Sequence, residues 1–86
     1  MWIIDLRFRP VPERLAARPA HRDRLTTLHR DGIVRMAGPL TGDTGAVIIV
    51  EAPSRPAVDA LVAADPYFRT DGVEVTGIRQ WEPFLR

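Results

Sequence analysis

The sequence predicts a ferredoxin-like α+β sandwich of order βαββαβ, an antiparallel four-stranded sheet with two helices on one face. Three observations carry this. Residues Trp2–Phe8 and Val73–Trp81 have the two-residue alternation of strands, and Ala46–Val50 is a short apolar run of strand length. Two other segments have apolar residues at helical spacing. Turn residues divide them in the order strand, helix, strand, strand, helix, strand.

Each element has its own signals. Trp2, Ile4, Leu6 and Phe8 share one face of the first strand, and Ile3, Asp5, Arg7 and Arg9 share the other. Pro10 and Pro12 end it, because proline cannot donate to a sheet ladder. Glu13–Asp31 reads as helical, but Pro19 interrupts it. Since proline is tolerated in a first turn, the main helix is expected from about Pro19 to Asp31, with Glu13–Arg18 as a separate lead-in turn and Gly32 as the stop. Ile33–Leu40 reads as the second strand, bent or ended by Gly38-Pro39, and Thr41–Gly45 supplies hairpin-turn chemistry. Ala46–Val50 is apolar on both faces, as a central strand covered on both sides would be. Ser54 caps the second helix, Pro56 sits in its first turn, and Val58, Leu61 and Val62 form its core stripe before Asp65-Pro66 stops it. The last strand is expected to show Val73, Val75, Arg79 and Trp81 on one face.

Eighty-six residues make one domain. A chain of that length buries only about 60–65% of its unfolded surface, so a partner is the natural source of further burial. The surplus apolar face of the third strand points the same way, to a homodimer. There are no cysteines, which removes disulfides and thiolate metal sites. All twelve basic residues are arginine, which reads as codon preference rather than as an anion-binding surface, and the lack of lysine excludes Schiff-base chemistry. A net charge of +1 gives no steering toward nucleic acid. Met1-Trp2-Ile3-Ile4-Asp5 has no secretory pattern and no stretch has the length of a membrane span, so a soluble cytoplasmic protein is expected.

The residue with the most chemistry is His21. Counting ~100° per residue, Leu25 falls about 40° to one side of it and Leu28 about 20° to the other, so an imidazole points into an apolar stripe. It needs a polar partner, and Asp65 is the candidate. A carboxylate that accepts one ring N–H fixes the tautomer and frees the other nitrogen as a base. Whether such an imidazole serves as acid or base depends on charge, which favours the cation, against burial, which opposes it. The alternative is a packed core histidine beside an aspartate that only ends a helix. His29 lies at the edge of the stripe and reads as a half-exposed surface residue. The two histidines, eight positions apart, would not readily chelate one ion, so no metal site and no cofactor are expected.

Around this pair, the Gly38-Pro39 bend exposes backbone, the Gly38 N–H included, to a ligand or is a plain strand bend. Tyr67 offers a phenol to the pocket or a cover for the core edge. Arg18 points at a substrate carboxylate or, more simply, at solvent. Arg79 is expected to pair with Asp5 or Glu51, and Trp2 and Trp81 to serve packing or subunit contact.

Several segments together resemble the YciI-like (YCII-related) family: Arg18-Pro19-Ala20-His21 followed by Leu25, Leu28 and Gly32; Ala37-Gly38-Pro39-Leu40; Glu51; the Ala57–Ala64 helix; and Asp65-Pro66-Tyr67 with Gly72. Singly each is weak, but their joint order spans nearly the whole chain. The resemblance implies a ferredoxin-like fold, a dimer of the dimeric α+β barrel type, and a pocket with a His–Asp pair at His21 and Asp65, lined by Gly38 and Pro39. Some relatives carry serine where this chain has Ala37, a departure from the family pattern that bears on any hydroxyl-dependent step. The family is functionally mixed, and one branch resembles enzymes that eliminate halide from hydroxylated aromatics.

Two functions fit these residues. One is a small cofactorless enzyme that uses His21 and Asp65 for acid–base elimination or isomerisation of a small organic, aromatic or cyclic substrate. The other is a non-catalytic small-molecule-binding or regulatory module with the same pocket. RNA binding, which this strand order also serves, is not expected, because the third strand carries no exposed aromatic residue.

Overall fold

Alternation along the first strand puts Trp2, Ile4 and Leu6 on one face of the sheet, and the helices gather on that face. The computed structural model describes all 86 residues. Its elements are β1 (Trp2–Phe8), α1 (Pro12–Arg30), β2 (Val34–Pro39), β3 (Gly45–Val50), α2 (Arg55–Ala64), a 3₁₀ turn (Pro66–Arg69) and β4 (Val73–Gln80). The strands form one antiparallel sheet in the order β2-β3-β1-β4. This is the ferredoxin-like α+β fold.

One core lies between the sheet and both helices. Trp2, Ile4 and Leu6 of β1 and Ile48 and Val50 of β3 meet Val58 of α2 and Tyr67 and Phe68 of the 3₁₀ turn, with Leu25 and Leu28 of α1 packed against them. Each of the larger apolar side chains contributes about 1.5–3 kcal/mol by leaving water. Trp2 buries its ring and donates its indole N–H to Ala52 O at 3.2 Å, so it is a packing residue. Gly45 is fixed by a close approach: a Cβ there would sit 2.3 Å from Leu6 O on the neighbouring strand.

Three details differ from the reading of the sequence. First, α1 is one continuous helix of 19 residues through Pro19, with Pro12 rather than Pro19 at its start. Pro19 costs the helix the bond to the Leu15 carbonyl, but both residues lie on the exposed side of the helix, where a freed carbonyl costs less than in a core. Second, the ladder between β1 and β4 slips between Asp5 and Leu6, so that Leu6 pairs with Val75 and Asp5 with Gly77. Thr76 is the extra residue, and its hydroxyl donates to Asp5 O at 3.2 Å. A bulge of this kind reverses the facing of the residues beyond it: Val73, Val75 and Ile78 pack on the core, while Arg79 turns to the other face and donates to Asp5 Oδ2 at 3.0 Å. Third, a similar slip between Val34 and Met36 makes Arg35 a bulge in β2. By the same alternation Ala46, Ile48 and Val50 of β3 face the helices, and Val47 and Ile49 lie on the opposite face of the sheet.

No helix is long and apolar enough to cross a membrane.

Candidate functional site

The groove-facing stripe of α1 consists of Arg18, His21, Arg22, Leu25, Thr26 and His29, the i, i+3, i+4 spacing of one helix face. β2 stands opposite, and because it is the edge strand nothing fills the space between them. The result is a groove of about 550 Å³, in the range of small-molecule sites, with Ala46 and Ile48 of β3, Phe8 and Tyr67 also lining it.

His21 sits in the middle of α1 and is buried, with 6% of its surface exposed. Its Nδ1 lies 2.6 Å from Asp65 Oδ2. A carboxylate only accepts, so Nδ1–H donates, and in the neutral ring Nε2 carries the lone pair. Nε2 has no protein partner and is not sealed from solvent, so it opens on the groove.

Asp65 is placed by local chain chemistry rather than by contact between the two long helices. It ends α2 and caps the 3₁₀ turn, its Oδ1 accepting from Tyr67 N at 3.0 Å. Each carboxylate oxygen thus has its own donor. The turn then lays Tyr67 flat on the imidazole, ring centres 4.0 Å apart and planes 13° from parallel, and sets Phe68 edge-on at 5.4 Å. The imidazole is held in its plane by two aromatic rings and on its edge by one carboxylate. Tyr67 is therefore both a core cover and a wall of the groove.

At the other end of the stripe His29 is exposed and donates from Nδ1 to Val34 O at 2.8 Å, just before the β2 bulge. The histidines point to different partners. No three His, Cys, Asp or Glu side chains converge as metal ligands would. Gly38 and Pro39 form part of the β2 wall.

Arg18 points neither at open solvent nor at a vacant site: its Nη2 donates to Asp43 Oδ2 at 2.9 Å. Asp43 belongs to the β2–β3 turn, with φ +58°. The same oxygen accepts from Arg14 Nη2 at 3.0 Å. Arg14 is 3% exposed, donates from Nε to Arg9 O, and stacks its guanidinium 4.3 Å above the Phe8 ring. Burial alone lowers its pKa, but the nearby Tyr67 phenol and the Asp43 carboxylate outweigh burial and raise it above the ordinary value. Tyr67 acts here through proximity, since Arg14 Nη1 has no partner at hydrogen-bonding geometry. The Arg14 hydrogen bond holds the Asp43 carboxyl below the usual carboxylate range against the opposing effect of burial, with the charges of Arg14 and Arg18 adding to it. Reading of the sequence missed Arg14 and Asp43 as parts of the site. Asp43 looks like an ordinary turn residue, and nothing in linear spacing couples it to an arginine 29 positions earlier.

A four-stranded antiparallel sheet under two helices, with a groove between one helix and the edge strand, defines a small α+β protein of the ferredoxin-like class. The model of the YCII-related domain matches residues 2–82, and the chain belongs to that family. It is 34% identical over 80 residues to Protein YciI of Escherichia coli O6:H1 and, equally, to Protein YciI of Shigella flexneri, covering 81% of this chain and 82% of each relative. Among solved structures it resembles the 5-chloro-2-hydroxyhydroquinone dehydrochlorinase of Burkholderia phenoliruptrix, solved with 2,5-dihydroxybenzoquinone. That likeness has a TM-score of 0.61 at 20% identity, over 95% of this chain and 94% of the other, and it concerns the fold.

Proposed function

We propose that the protein is a small cofactorless enzyme in which His21, oriented by Asp65, transfers a proton on a small cyclic or aromatic substrate bound in the groove. The observation that carries this is the pairing of a carboxylate-bound Nδ1 with an Nε2 open to the groove. Nε2 takes a proton from a substrate C–H or O–H and becomes the imidazolium, whose charge Asp65 balances. The released electron pair then forms the new double bond while a leaving group departs with its own pair, which is elimination. Alternatively the imidazolium returns the proton to another carbon, which is isomerisation. Gly38, Pro39 and Tyr67 are the proposed binding residues, while Arg18, also expected to bind, lines the groove with its guanidinium held by Asp43. The fold relative named for a chlorinated hydroxyhydroquinone makes hydroxylated rings the first substrates to try.

The test incubates the protein with such rings in D₂O and follows deuterium uptake by NMR. His21→Ala is expected to lose exchange by on the order of 10²-fold or more while keeping its fold. Exchange at the wild-type rate in that variant overturns the proposal. Ligands that bind and return unlabelled assign the groove to a binding module instead.

We also propose that the working unit is a homodimer joined through the face of the sheet away from the helices. Met36, Leu40 and Trp81 leave 67%, 49% and 42% of their surface exposed, and strand alternation puts all three on that face.

A further inference from the structure

The charge around the groove is lopsided. Three arginines, Arg18, Arg22 and Arg35, and one carboxylate, Asp43, line it. That is an excess of two positive charges in a chain whose whole formal charge is +1. Asp43 is already engaged by Arg14 and Arg18 through a single oxygen. Arg22 from α1 and Arg35 from the β2 bulge have no acidic partner and make no side-chain hydrogen bond, although carboxylates elsewhere on the surface pair with Arg9, Arg55 and Arg79. The sequence also places them purposefully. Arg22 follows His21 directly, and Arg35 is turned by the only irregularity in β2. Between the two walls lies apolar floor from Ile48 and Leu25.

We infer that the groove takes a small organic anion, an apolar or aromatic body on the floor with its carboxylate between Arg22 and Arg35. This rests on reading the groove as a small-molecule site, but not on His21 acting as a base. Guanidinium groups from two walls match a carboxylate's paired oxygens, and charge-assisted hydrogen bonds of this kind are stronger than neutral ones. The Arg14–Asp43–Arg18 contact serves the same end. It consumes the one acidic group of the groove, so that an incoming anion meets a neutralised Asp43 and two free arginines.

The probes are benzoate and its neutral isostere benzamide, titrated into ¹⁵N-labelled protein. Benzoate is expected to shift the amides of Leu25, Ala37 and Gly38 and to bind on the order of ten- to a hundredfold more tightly than benzamide. Its affinity should fall as salt is added. The Arg22→Gln/Arg35→Gln variant, altered only at exposed positions, should lose that preference while its spectrum otherwise stays native. Equal binding of the two probes, an unchanged preference in the double variant, or benzoate shifts that are absent or lie outside the groove overturn the inference. His21→Ala separates the two proposals: it should keep benzoate binding even as proton exchange is lost.

Discussion

At the scale of single residues, Asp65 does two things with two oxygens, and one substitution separates them. In Asp65→Asn the amide oxygen still accepts from Tyr67 N, since asparagine caps as well as aspartate. The amide nitrogen is then left facing His21 Nδ1, which must become the acceptor, and the ring proton moves to Nε2. We predict that ¹⁵N chemical shifts of His21 report this exchange of tautomer, that proton exchange on the substrate falls on the order of 10²-fold or more, and that stability falls by only about 1–2 kcal/mol. An unchanged tautomer would mean that Asp65 does not set the ring. Asp43 answers a different question, that of pH. Its folded-state pKa is depressed by the Arg14 hydrogen bond, working against burial, with the arginine charges in support. Because the unfolded carboxyl takes up its proton first, at about pH 4, this contribution is complete above that range and fades as pH falls through the folded value. The side chain is 36% exposed, so solvent keeps the effect small. Urea unfolding at about pH 6 and about pH 3.5 should show the wild type losing more stability between them than Asp43→Asn, a variant that tolerates the positive φ. Parallel losses would rule out this role for Asp43.

At the scale of elements, α1 shows what linear rules miss. A proline well inside a helix reads as a boundary, and the boundary is absent because the freed carbonyl of Leu15 lies on the exposed side of α1. Pro19→Ala restores the N–H that this carbonyl lacks. Against a helix-propensity gain of about 3 kcal/mol stands a more flexible unfolded chain worth about 0.4–1 kcal/mol, so we expect net stabilisation of about 2 kcal/mol by urea unfolding. Destabilisation would show instead that the ring is needed for the course of α1 over the sheet. The strands themselves were legible, since alternation in Trp2–Phe8 and the unbroken apolar run of β3 are direct records of burial. Their bulges at Arg35 and Thr76 were not, because a bulge depends on the register of the partner strand and changes no local pattern. That is why alternation alone put Arg79 and Val75 on one face. His21 was legible as an anomaly in an apolar stripe, and Asp65 became its candidate partner with family resemblance at both segments in support. What joins them, the 3₁₀ turn carrying Tyr67, has four residues and leaves no periodic trace.

At the scale of the whole molecule, the two faces of the sheet are unequally served. The helix side holds the core and the groove, while the other side carries Val47 and Ile49 of the central strand β3 beside Met36 of the edge strand and Leu40 just after it. The Asp5–Arg79 ion pair lies on this surface, and Arg7 of β1 and Glu74 of β4, opposite one another in the ladder, add charge toward one end of it. Phe84 and Leu85 of the C-terminal segment are exposed as well, and Arg86 reaches Glu51 at 3.9 Å. A chain of 86 residues has little stability to spare, and burying this face against a second copy removes apolar surface from water at about 25 cal/mol per Å². The sheets of two copies would then meet back to back, with each groove left open on its own outer side. Sedimentation equilibrium should accordingly give twice the 9.6 kDa chain mass. Val47→Asp places a charge in the middle of the proposed contact without touching the core beneath the helices. It should halve the mass and lower the concentration dependence of thermal unfolding while leaving the far-ultraviolet circular dichroism native. A wild type that sediments as a monomer refutes the dimer outright, and a Val47→Asp protein that stays dimeric places the contact on another surface.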